Sequence, residues 1–150
     1  MLQQLAEVGS FLGGLGVLIS VGYLAHQIRL NTNSNRAASY QSAVAASAEW
    51  TRQVGLDKAA TKIMMQGFKT PDLLAEEERD QFNFLLVSLV RNFENIHYQF
   101  TSGAITEETW NGWAKRIRRF FQQPGVVRWW ESNSDGYSQS FQEFVGNADE

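Results

Sequence analysis

The chain contains no cysteine. That absence removes disulfide scaffolds, thiolate zinc sites, iron–sulfur clusters and cysteine nucleophiles from consideration. Proline is nearly as scarce, with two in 150 residues, and Val, Ile and Thr do not cluster as they do in strands, so the composition favours an all-α fold over a β-rich one. A large charge of one sign is missing too. The net charge of -3 lacks the basic surplus of an electrostatic nucleic-acid binder, and no nucleic-acid partner is expected. No phosphate loop is present, and the G-x-G at Gly14 and Gly16 reaches Ile19 where a dinucleotide fingerprint needs glycine. Serines are plentiful, but no motif pairs one with a His or Lys base. No catalytic residue, metal or cofactor is expected, and the chain reads as a non-enzyme.

What is present begins with an uncharged run, V-G-S-F-L-G-G-L-G-V-L-I-S-V-G-Y-L-A, from residue 8 to 25. No fixed charge falls between Glu7 and Arg29. As a helix that stretch reaches the ~30 Å of a hydrocarbon core, which predicts a transmembrane helix over residues 1–28 and a cytoplasmic helical domain over 29–150. A cleaved signal peptide fits less well, because M-L-Q-Q-L-A-E carries an acid and no base before the apolar run. Arg29 and Arg36 follow the run with no acid before Glu49, so the positive-inside rule sets the N-terminus outside a bacterial inner membrane and the domain in the cytoplasm. Gly9, Gly13, Gly16 and Ser20 are spaced by four, three and four residues. On a helix they form a stripe of small residues, a candidate helix–helix interface within the membrane.

Downstream, the periodicities predict a bundle of about four to six helices. From Ile28 to Val54 no Pro or Gly intervenes, although N-T-N-S-N at 31–35 is a poor helix former and a candidate polar joint. Asp57 reads as the cap of a short helix closing near Gly67. Thr70 precedes Pro71 in the pattern of a helix start. Phe82, Leu86, Leu89, Phe93, Ile96 and Phe100 alternate steps of four and three and mark the central core helix, closed by Gly103. Thr106 opens another helix, with a face of Trp110, Trp113, Ile117, Phe120 and Phe121, expected to stop before Pro124-Gly125. Val126 to Trp130 reads as one or two turns, S-N-S-D-G as a loop, and Ser140 with Glu143 as a capping box for the last helix.

Taken in order, I-R-x-N-T (28–32), A-x-x-Y-Q-S (37–42), E-E-E-R-x-x-F (76–82), F-E-N-x-x-Y-Q-F (93–100), W-x-x-W (110–113) and P-G-x-x-x-W-W (124–130) follow the N-terminal run. This arrangement resembles a family of small, uncharacterised bacterial single-span membrane proteins. The resemblance covers nearly the whole chain and implies the same layout, but no activity.

Two further clusters stand out. Arg91, Glu94, Asn95 and Tyr98 share one side of the central helix and form a candidate polar network or ligand pocket. Glu94 and His97 have the E-x-x-H spacing of helical di-metal sites, but the only other histidine is His26, so no metal is expected. Lys115, Arg116, Arg118 and Arg119 make a basic cluster on an aromatic-rich helix, a candidate contact for anionic lipid. Adjacent Trp129 and Trp130 diverge by ~100° on a helix, so one of them is expected to face lipid or a partner. The resulting expectation is a bitopic membrane protein whose helical domain self-associates as a scaffold or binding module, with membrane lipid, further copies of itself and an unknown protein as partners. A homo-oligomeric channel lined by the first helices, and a small-molecule sensor or enzyme using Arg91, Glu94 and Tyr98, are the alternatives.

Overall fold

A computed structural model describes residues 2–147, with side chains from residue 13 onward except at 15. The described residues form six α-helices and no strand, as the composition predicts. They are α1 (Leu2–Leu56), α2 (Lys58–Lys69), α3 (Glu76–Thr101), α4 (Glu107–Phe121), α5 (Pro124–Asn133) and α6 (Gln139–Gly146), with 3-10 turns at Pro71–Leu73 and Ser134–Gly136. Internal contacts divide the chain into one unit ending at Ala38 and another beginning at Ser39.

The first unit is helical throughout its described length. The asparagine-rich patch is not a joint, and the Thr32 hydroxyl donates to the Ile28 carbonyl at 2.9 Å within the same helix. The expected membrane span is not upheld: among the described residues no helix is long and apolar enough to cross a membrane. The inner-membrane placement, the N-out orientation and the cytoplasmic assignment resting on that span fall with it. The physical reason lies in the composition of the stretch with described side chains. Gly13, Gly14, Gly16, Ser20 and Gly22 dilute its apolarity, and His26, Gln27 and Arg29 end it, which leaves it well short of the ~20 predominantly apolar residues a span needs. The start of the run, residues 8–12, and Leu15 lie outside the residues whose side chains are described.

The second unit is built around α3. Phe82, Leu86, Leu89, Val90, Phe93 and Ile96 are buried on its inner face, the face that the four-three spacing of the sequence marks out. From α1, Ala43 and Ser47 are buried. Asp57 caps α2 by accepting from the Ala59 and Ala60 amides at 2.8 and 3.1 Å. Glu78 accepts from the Ala75 amide at 3.0 Å at the start of α3. Gly103, with φ of 74°, reverses the chain after α3, a conformation in which a side chain is strained.

Local expectations give way to packing at several points. α2 closes at Lys69, two residues past Gly67. α4 ends at Phe121, before Pro124-Gly125 as expected, and these two residues form the first turn of α5, where proline's missing N–H costs nothing. Gly125 serves a close crossing of α2 and α5, where a Cβ would overlap the Gly67 carbonyl and come within 3.3 Å of Phe68 Cα, whereas a Cβ on Gly67 would meet the Phe82 ring of α3. The cap of α6 is Ser138 rather than Ser140. Finally, neither Trp129 nor Trp130 is left outside. Trp129 is buried and donates its indole N–H to Asn83 Oδ1 at 2.7 Å, while half-buried Trp130 packs edge-on against Phe121 and Phe141 at 5.0 and 5.9 Å. Divergence by ~100° is what a helix wedged between neighbours on two sides requires.

Candidate functional site

Arg91 and Glu94 meet as the sequence spacing predicts, with Arg91 Nη1 donating to Glu94 Oε2 at 2.7 Å. Their other partners come from the far end of the chain. Arg91 Nη2 donates to the Gly136 carbonyl at 2.8 Å, and the Ser138 amide donates to Glu94 Oε1 at 2.7 Å. The Arg91 guanidinium also lies over the Tyr137 ring, 4.2 Å from its centroid. The pair therefore clamps the 136–138 turn and receives the first amide of the cap of α6. Burial alone would push the Glu94 carboxyl up, but the Ser138 amide and hydroxyl and the Arg91 guanidinium outweigh it and hold the group below the ordinary carboxylate range. Asn95 and Tyr98 do not join this network, and both are exposed. Gly136, Tyr137 and Ser138 take their place. No signal in the sequence links them to α3, because the S-N-S-D-G-Y-S stretch advertises a turn and not its partner.

His97 is buried one turn further on. Its ring stacks on Phe144 at 5.3 Å and meets Trp110 at 5.5 Å and Phe141 at 5.6 Å. Burial in this apolar cage pulls its pKa down, partly countered by Glu94. With Glu94 engaged by Arg91 and Ser138, the E-x-x-H pair has no shared open position. Among the described residues no group of three or more His, Asp or Glu is placed to hold a metal ion.

The basic cluster of α4 separates into two behaviours. Arg118 is half-buried with its guanidinium over Phe144 at 5.4 Å, and its Nε has no hydrogen-bond partner. Lys115, Arg116 and Arg119 are exposed. Arg116 also stacks over Trp113 at 5.7 Å. Among the described residues, ion pairs join Arg52 to Glu49, Arg91 to Glu94 and Arg128 to Asp72, and none involves these four cations. An open groove of about 960 Å³ runs beside the cluster, between Tyr40, Val44 and Arg52 of α1 and Trp113 and Arg116 of α4.

In α1, Gly13, Gly16 and Ser20 lie on exposed helix with no atom placed to meet an added Cβ on either glycine. The Ser20 hydroxyl is satisfied by the Gly16 carbonyl at 2.8 Å. Gly9, the fourth member of the stripe, lies outside the residues whose side chains are described. The larger feature of this segment is apolar: Val17, Leu18, Ile19, Val21, Leu24, Ile28 and Leu30 are each more than half exposed. Among the described residues, fold and surfaces define a helical protein with buried aromatic packing that leaves open the apolar length of α1 and the cationic end of α4. Comparison with protein-family models, with curated proteins and with solved structures finds no match to this chain.

Proposed function

We propose that the chain is a self-associating helical scaffold or binding module, without catalytic activity, that assembles through α1. The observation that carries this reading is the exposure of Val17, Val21, Leu24 and Ile28, at 62%, 59%, 62% and 60%. Their steps of four, three and four form the a/d seam of a two-helix interface. A helix with apolar side chains exposed over this length is a site of association. A second copy is the favoured occupant because the seam is self-complementary and Gly13, about 50° from its centre at 100° per residue, admits a backbone at close range.

Sedimentation velocity between about 5 and 200 μM tests it. The expected result is a species at a multiple of the 17.0 kDa chain mass, reverting to the monomer in the Val21→Arg, Leu24→Arg double variant with its helical circular dichroism retained. A wild-type monomer across that range overturns the reading, as does a charged variant that assembles like the wild type.

A further inference from the structure

A second surface has its own chemistry. Between the last turns of α2 and α4 lies a recess of about 300 Å³ whose floor is Met65, Phe68 and Phe120 and whose rim carries Lys69, Arg116 and Arg119. The floor is rigid, because Phe68 and Phe120 meet edge-on at 5.8 Å and are held from behind by Phe82 at 6.1 Å and Phe93 at 5.2 Å. Met65 leaves 54% of its surface uncovered there, a flexible thioether of the kind that moulds to varied apolar ligands. Among the described residues no Asp or Glu lines the recess, and none of the three cations is in an ion pair. The ends of α2 and α4 account for some positive charge, since cations favour helix C-termini. Helix ends do not account for an apolar floor left open among the cations.

We infer that this recess binds a small amphipathic anion, with its apolar body on Met65, Phe68 and Phe120 and its carboxylate, sulfonate or sulfate head among Lys69, Arg116 and Arg119. The complementarity is twofold. A neutral apolar molecule would leave three cations uncompensated, and a small inorganic anion would leave the floor wet. Arginine forks suit a planar oxyanion, which they engage through paired N–H donors. This inference stands apart from assembly through α1 and requires no second copy.

Decanoate, decanol and decyltrimethylammonium share one chain and differ in head charge. Titrated below their aggregation limits into protein with ¹³C-labelled methionine methyls, decanoate is expected to shift the Met65 methyl saturably, with little movement of Met64, which is buried. Decanol and the cation are expected to bind at least about tenfold more weakly, the factor set by losing a charge-assisted hydrogen bond. The Lys69→Gln, Arg119→Gln double variant is expected to lose the decanoate response by a similar factor while keeping the wild-type melting temperature, since both side chains are exposed. The inference is overturned if all three probes shift Met65 alike, if decanoate leaves Met65 unmoved, or if the double variant responds as the wild type does.

Discussion

Replacing Gly125 with alanine adds one methyl group at the α2–α5 crossing. The new Cβ would overlap the Gly67 carbonyl oxygen and lie 2.9 Å from its carbon and 3.3 Å from Phe68 Cα. Every one of those neighbours is backbone within a helix, so no rotamer change relieves the clash and the helices must separate. Separation strains what α5 carries with it, namely the Trp129 bond to Asn83 and the Arg128 pair with Asp72. Overpacking of this kind costs ~1–3 kcal/mol, with the upper half expected where backbone must move. Alanine's better helix propensity returns less than ~1 kcal/mol. The net loss of about 2 kcal/mol corresponds to a melting temperature lower by roughly 4–8 °C for a chain of this size. Differential scanning calorimetry measures it, with Gly112→Ala as the internal reference. Gly112 lies inside α4 with nothing within 4 Å of an added Cβ, so the same chemical change is expected to be neutral or to stabilise by up to ~1 kcal/mol. Equal melting temperatures for the two variants would refute the assignment of Gly125 to a close helix crossing.

Other perturbations separate the remaining claims. Asn83→Ala leaves the indole N–H of Trp129 without its 2.7 Å acceptor and is expected to cost ~1–3 kcal/mol in urea denaturation. Trp129→Phe with Asn83→Ala is expected to cost less than the two single changes combined. Gly103→Ala places a side chain at φ of 74° and is expected to lower stability by ~1–2 kcal/mol, read from the urea midpoint. The protein should lose stability on acidification in two stages. His97 is held below its ordinary value near 6.5 by burial, so the unfolded chain binds the extra proton and stability falls as pH drops below about 6.5 toward the folded value. Glu94, held below 4.5, contributes stability that is present above that value and lost as pH falls through its folded pKa. Urea midpoints between pH 8 and 3 should show the first stage absent in His97→Phe and the second reduced in Glu94→Gln. An unchanged profile in His97→Phe would remove the buried histidine from the account.

The parts of this fold that were legible in the sequence are those in which one residue's neighbours on its own helix determine its environment. The four-three spacing of α3 identifies its buried face. Asp57 and Thr106 mark helix starts because a cap bonds within three residues. What stays hidden has a different cause. Pro124-Gly125 marks the stop after α4, but its local signature does not show that it begins a helix pressed against the Gly67 backbone, more than fifty residues earlier. Adjacent tryptophans look unsatisfiable until a helix has neighbours on both sides. Arg91 and Glu94 read as a local pair, yet their other bonds reach residues 136 and 138, a separation that no periodicity encodes.

The same distinction governs the two open surfaces. The apolar residues of α1 are visible in the sequence as a run, and the run alone suggests lipid. Among the described residues the helix falls short of a span, while Val17, Val21, Leu24 and Ile28 retain the spacing of a helix-pairing seam. A hydrocarbon core would reward apolarity on all sides of α1 alike, whereas a second helix rewards the seam and is indifferent to the opposite face. Arginine at Val21 and Leu24 should therefore abolish assembly, and arginine at Ile19, which lies about 170° from the seam centre at 100° per residue, should leave it intact. Equal loss of assembly from both substitutions would mean that general apolarity, and not a paired helix, drives the association.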